Sequence, residues 1–228
     1  MNVHSHRRKA AFVNSASPRL AETADPAASP RAREILDRCR DVFVAKGFEG
    51  ASMKDLAGAA GMSAGNFYRY FSSKDAIIEA MVAHDLTEVD GAMRVVLGAG
   101  DPRETLLAAL AERIDDAACR SDGAIWAEIE AAAIRRPAVR QSLERLEATI
   151  ARSITRVFAR MSGLPEAEAH SRFQAHAQLL IVIVKGATVQ LGRGHEDAAD
   201  HAELRRLVLR TVGQLLDDVA TTARKTTE

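Results

Sequence analysis

From Arg31 almost to the end of this 228-residue chain, apolar residues return every three or four positions, and no alternating pattern stands out anywhere. A three-four spacing lines one face of an α-helix, whereas a period of two lines one face of a strand. The chain is therefore predicted to be all-α, with nine helices. The first is expected over about 31–46, buried through Ile35, Leu36, Cys39 and Phe43 and stopped by Gly47. The second runs from Met53 to Ala60 behind a Ser52–Asp55 capping box. The third runs from Ala64 to about Tyr70 behind Ser63. A fourth begins near Lys74 behind a Ser72–Asp75 pair and ends around Leu97. Asp101 and Pro102 open a fifth, which reaches about Cys119. The sixth spans about 123–135, the seventh 138–161, the eighth runs from Pro165 to Leu191, and the ninth spans about 199–220.

The 47% hydrophobic content is enough to build a sizeable core. Formal net charge is zero, so any surface for nucleic acid must be local. The two cysteines, Cys39 and Cys119, lie far apart, which argues against a disulfide framework and for a reducing, cytoplasmic setting. The longest continuous apolar run, Leu179 to Val184, falls far short of the roughly 20 residues of a membrane helix. Residues 1–28 are rich in Ala, Ser and Pro and are expected to be a disordered tail. Arg7, Arg8 and Lys9 in that tail, with Arg31 and Arg33, leave two readings open: a basic arm for a minor groove, or a solvated tail with no role.

Residues 52–71 read SMKDLAGAAGMSAGNFYRYF. Two short helices joined by a tight turn containing Gly61 have the layout of a helix-turn-helix. Met53, Leu56, Ala57 and Ala60 give the first an apolar face, and Phe67 and Phe71 pin the second. Ser63, Ala64, Asn66, Tyr68, Arg69 and Tyr70 are left to face outward or flank that core. These are side chains suited to a major groove: Asn66 can pair with the donor and acceptor of adenine, tyrosine hydroxyls can donate to phosphates, and Arg69 adds charge. Six of the ten aromatics fall within residues 43–71. From Arg31 to Lys74 there are eight basic and five acidic residues, a local balance of 8 − 5 = +3.

With those residues in view, the segment 31–82 resembles the DNA-binding domain of the tetracycline-repressor (TetR) family. The likeness rests on FVAKGFEGAS, then on Gly61-Met62-Ser63, Gly65, Phe67-Tyr68, Phe71 and Lys74-Asp75. It implies a DNA-binding unit over 29–89 and a ligand-binding and dimerisation unit over 90–228. It also implies a DNA-contacting set of Ser52, Lys54, Ser63, Ala64, Gly65, Asn66, Tyr68, Arg69, Tyr70 and Lys74, with Lys74 anchoring a phosphate. Position 64 departs from the reaching side chain common in the family. Alanine can touch a thymine methyl but cannot read guanine, so specificity must lean on Asn66, Arg69 and DNA shape.

The resemblance further implies a double-stranded DNA operator, a homodimer and a small-molecule effector. The all-apolar LLIVIV run and the clean spacing of the ninth helix suit either two core helices or a four-helix dimer bundle. The expected interface is Leu179, Val182, Ile183, Gly186, Leu204, Leu207, Val208 and Leu215. Candidate ligand-lining residues are Met93, Ile114, Cys119, Trp126, Ile129, Glu130, Phe158, Phe173 and His176. With so few aromatics there, an aliphatic pocket for a moderately apolar ligand is expected rather than an aromatic cage. No metal, cofactor or membrane partner is expected, because the histidines show no zinc spacing and no catalytic constellation appears. The alternatives are a protein partner for the C-terminal unit or, from another class, an all-helical enzyme.

Overall fold

The structure, a computed structural model, describes residues 29–115, 119–192 and 198–222. The expected tail therefore lies outside the described residues, as does the Cys119 side chain. Among the described residues there are nine helices and no strand: α1 (Pro30–Gly50), α2 (Met53–Ala59), α3 (Ala64–Tyr68), α4 (Lys74–Gly98), α5 (Pro102–Asp115), α6 (Cys119–Arg135), α7 (Pro137–Ser162), α8 (Glu166–Gly192) and α9 (Ala198–Thr222).

Local chemistry explains most of the boundaries. Ser29 Oγ accepts the Ala32 amide at 3.1 Å and Pro30 opens α1, since a first-turn residue has no helical N–H partner to lose. Asp101 Oδ1 takes the Glu104 amide at 3.0 Å ahead of α5. Gly163, at φ 71°, closes α7 in the left-handed region that a Cβ disfavours.

Gly47 interrupts α1 at φ 71°, where the first helical run was expected to stop, and one further turn to Gly50 carries Phe48 back onto Phe43, with ring centroids 5.5 Å apart. Two expectations need correction. The cap of α4 is Ser73, not Ser72: its hydroxyl accepts the Ala76 amide, while Asp75 reaches away to Arg136. Gly123 does not begin α6 but lies inside it, against the α8 backbone. A Cβ built there would stand 2.5 Å from the Thr188 carbonyl oxygen. The glycine marks a close helix crossing, which in sequence looks the same as a boundary.

The buried residues form two main clusters. One joins α1–α4 to α6 and α7 through Phe43, Phe48, Leu56, Phe67, Phe71, Ile77, Ile125, Ile129 and Leu143. The other fills the body between α4, α5, α7, α8 and α9 around Phe158, Phe173, Leu180 and Leu216. The first matters for function: the core beneath the helix-turn-helix is continuous with α6, so the N-terminal unit is packed on the body rather than hung from it. α8 is long and apolar enough, by length and composition alone, to cross a membrane. Its Ala169, Phe173, Ala177 and Leu180 nevertheless belong to the body core.

Cys39 is fully buried in the first cluster, and burial pushes its thiol pKa up to about 12. A thiolate is the reactive form, so Cys39 is expected to resist iodoacetamide in the native protein and to react on denaturation. Mass spectrometry of the Cys39 peptide checks this, and rapid native labelling would show that the cluster opens.

Candidate nucleic-acid interface and interior cavity

The helix-turn-helix is held by a short hierarchy of local bonds. Ser52 Oγ accepts the Asp55 amide at 3.1 Å and Asp55 Oδ2 accepts the Ser52 amide at 2.9 Å, completing the capping box. Lys46 donates to the other Asp55 oxygen at 2.7 Å and ties α1 to α2. Hydrogen bonds from Lys46 and Ser52 hold the Asp55 carboxyl well below the usual carboxylate range. A depressed carboxyl stabilises the fold fully above its unfolded pKa, and that contribution is lost as pH falls through the folded value. Gly61, at φ 65°, turns the chain, with Met62 N donating to Ala57 O at 2.9 Å. Ser63 then caps α3 by accepting the Asn66 amide.

α3 has only five residues, and its orientation is set by what it buries. Phe67 and Phe71 are fully enclosed, with rings 5.9 Å apart. The opposite side is open: Ser63, Ala64, Gly65, Asn66, Tyr68 and Arg69 are exposed, as are Ser52, the cap of α2, and Lys54 within it. Lys54 and Arg69 form no ion pair among the described residues. A Cβ at Gly65 would meet nothing within 4 Å, so nothing in the described chain requires glycine there.

Two residues of the expected set are placed differently. Tyr70 is half-buried and packs on Phe71, with centroids 6.3 Å apart. Lys74 turns inward: its Nζ donates to Phe48 O at 2.6 Å and Glu49 O at 3.2 Å, and lies 4.8 Å from the Phe48 ring centroid. Two of its three donors are taken by the chain itself, leaving one for a phosphate.

The turn at Gly47–Glu49 is also gripped from the body. Glu128 of α6 accepts the Phe48 amide at 2.8 Å. Arg136, between α6 and α7, reaches Glu49 at 3.3 Å and Asp75 at 3.2 Å, with its guanidinium 4.8 Å from the Phe48 ring centroid. The hydrogen bond from Arg136 lowers the Glu49 pKa. Sequence reasoning passed over Glu128 and Arg136. They lie 61 to 87 residues from their partners, and no local signal separates them from the charges around them.

The body holds a partly open cavity of about 180 Å³ between α4, α5, α6, α7 and α8. Its wall is mainly aliphatic, including Val89, Leu106, Leu110, Leu146, Ile150 and Leu180. Of the nine expected ligand residues, Met93 and Trp126 line it. Glu130 is joined to it through an ion pair with Lys185, a wall residue. Ile129 belongs to the core beneath the helix-turn-helix, and Ile114 to a small cluster with Ala187 and Leu191. Phe158 and Phe173 meet edge-on in the body core, with His176 against Phe173 at 5.5 Å. Four charged residues reach the wall: Asp85, Arg113, Glu147 and Lys185.

On the outer face of α8, Leu179 and Val182 are 51% and 65% exposed, and Gly186 is exposed beside them. Ile183, Leu204, Leu207 and Val208 are half-buried, while Leu215 is buried within the subunit's own core.

Residues 35–81 match the family model of bacterial regulatory proteins, tetR family. That segment is a TetR-type DNA-binding domain. Among curated TetR-type proteins, the transcriptional repressor KstR2 of Rhodococcus jostii (strain RHA1) is 32% identical over 79 residues, covering 34% of this chain and 39% of the relative. The regulator UidR of Escherichia coli (strain K12) is 38% identical over 58 residues, covering 25% and 30%. The chain thus spans about two fifths of the first relative's length and less than a third of the second's. Solved structures extend the likeness of fold over nearly the whole neighbour. GusR of Salmonella enterica superposes with a TM-score of 0.62 at 22% identity, over 82% of this chain and 96% of that one. A transcriptional regulator from Rhodococcus sp. RHA1 gives 0.66 at 22%, over 83% and 97%. At these identities what the chain shares with its structural neighbours is the fold.

Proposed function

We propose that this protein is a DNA-binding transcriptional regulator that acts as a repressor and is released from a palindromic operator by a small, moderately apolar ligand. The observation that carries this is the two-sidedness of α3: Phe67 and Phe71 fix it from within while Asn66, Tyr68 and Arg69 stand free outside. Residues 29–89 form the DNA-binding unit and residues 90–228 the effector and dimer unit. Ser52, Lys54, Ser63, Tyr68 and Arg69 position the backbone, Asn66 reads a base, and Gly65 leaves room for the groove to approach. A well-formed apolar cavity favours a small molecule over a protein partner for the body.

Selection from a randomised duplex pool tests the first step. Enriched sites are expected to be palindromes with half-sites about 10 base pairs apart, or a multiple of that. No enrichment over random duplex would sink the reading. On a selected site, Asn66→Ala should lower the ratio of specific to random affinity by the equivalent of about 1–3 kcal/mol, while Tyr68→Ala weakens both alike. A titration at fixed salt that leaves the Asn66→Ala ratio unchanged removes its base-reading role.

The dimer is assigned to α8 and α9, because a helix-turn-helix reading a palindrome requires a two-fold partner and Leu179, Val182 and Gly186 form an uncovered apolar strip. Val182→Glu would place a charge at the strip and should give monomers in sedimentation velocity. A dimer that survives it moves the interface elsewhere.

A further inference from the structure

The cavity's charged groups are unequal. Asp85 is the most enclosed of them, its side chain only 11% exposed, and it accepts Arg40 Nη2 of α1 at 2.6 Å. Lys185 is held by two carboxylates, Glu147 at 2.6 Å and Glu130. Burial alone would lower the Lys185 pKa, but the hydrogen bonds to Glu130 and Glu147 outweigh it and raise the value. That ammonium is therefore over-compensated by one negative charge. Arg113 stands at the exposed end of α5, where solvent screens it. A ligand carboxylate entering this space would meet Asp85 and Glu147 and would have to take Lys185 from both its partners. A ligand cation would meet Asp85, the least exposed of the four, in an apolar, weakly screening part of the wall, where a charge-assisted hydrogen bond is strong.

Size and shape narrow the ligand further. A cavity of about 150 Å³ lined by Leu, Ile and Phe holds benzene, so this one suits a six-carbon body with a small head. Trp126 is the wall's lone aromatic, too little to cage a quaternary ammonium, so the head must carry N–H donors for carboxylates.

Resting on the reading of this cavity as the effector site, we propose that it takes a compact apolar amine, protonated, whose ammonium competes with Arg40 for Asp85. Because Arg40 belongs to α1 and Asp85 to the part of α4 that lines the cavity, the same exchange loosens one tie between α1 and the cavity wall. The ligand shifts the equilibrium only by its preference for the conformer in which that tie is broken.

The test uses three probes with one body: hexylamine, hexan-1-ol and sodium hexanoate. Trp126 is the chain's only tryptophan and lines the cavity, so its fluorescence reports occupancy in the full-length protein. At neutral pH hexylamine is expected to bind about tenfold more tightly than either other probe, the worth of one hydrogen bond to a charged group. Asp85→Asn should abolish that preference, and Arg40→Gln, which removes the competitor, should tighten hexylamine binding. Misfolding would weaken both variants together, so opposite signs exclude it. Equal binding of all three probes, tightest binding of hexanoate, or an amine preference that survives Asp85→Asn overturns the amine assignment while leaving the cavity as a ligand site. No response to any probe, with Trp126 fluorescence and thermal midpoint both unmoved, overturns the cavity reading as well.

Discussion

Gly123→Ala is expected to destabilise the protein, although the same change in an open helix would stabilise it. An added methyl group in mid-helix normally contributes up to about 1 kcal/mol of helix propensity. Here its carbon would lie 2.5 Å from the Thr188 carbonyl oxygen and 3.2 Å from the Val189 Cα. Both belong to the α8 backbone, which can yield only by moving as a helix. Overpacking a close crossing costs about 1–3 kcal/mol and sometimes more, and a clash with backbone belongs at the upper end. The net loss of about 2 kcal/mol corresponds to a fall of about 4–8 °C in the thermal midpoint for a chain of this size. Effector binding should weaken too, because α6 carries Trp126 into the cavity and Thr188 forms part of the wall. A midpoint that rises would mean that α6 and α8 do not cross this closely.

Phe67→Ala should have the larger effect on DNA binding. α3 is five residues long, and a helix so short has no stability of its own. It holds its shape because Phe67 is fully buried against Phe71 and the shared core. Truncating a buried phenylalanine costs about 3–5 kcal/mol, which exceeds what the Ser63 cap and the Gly61 turn can offset. Specific and random DNA affinity are both expected to collapse, while helix content falls only slightly and the cavity still binds its ligand. Operator affinity within a few-fold of the parent would show that α3 is held by something other than Phe67.

These two positions also show what was legible from sequence. Phe67 was readable because its pattern is local: an aromatic four residues from another, between a serine cap and outward polar residues. The nine helices were readable for the same reason, since period, caps and prolines act within one or two turns. Gly123 does not open α6 as expected, because a glycine at a helix start and one that admits another backbone look alike until the second backbone is placed. The cavity was hidden similarly. Leu106 lines it and Ile129 does not, yet both are apolar residues at helical spacing, and only three-dimensional packing separates a wall from a core. The family resemblance implies a phosphate anchor at Lys74, but the place of its side chain depends on the Gly47 kink that brings the Phe48 and Glu49 carbonyls within reach.

Phe48 has two cations over its ring, its amide on a third charged group, and its side chain in the core. Such a residue works as a dowel: one side chain, seated at several points, takes away the swivel that a simple linker would allow. On the proposed palindromic operator, a reading head pinned this way would not follow a half-site that is moved along the duplex. A site with one extra base pair at its centre would have to be met by bending the DNA, and the tolerance for spacing becomes a property of the duplex rather than of the protein.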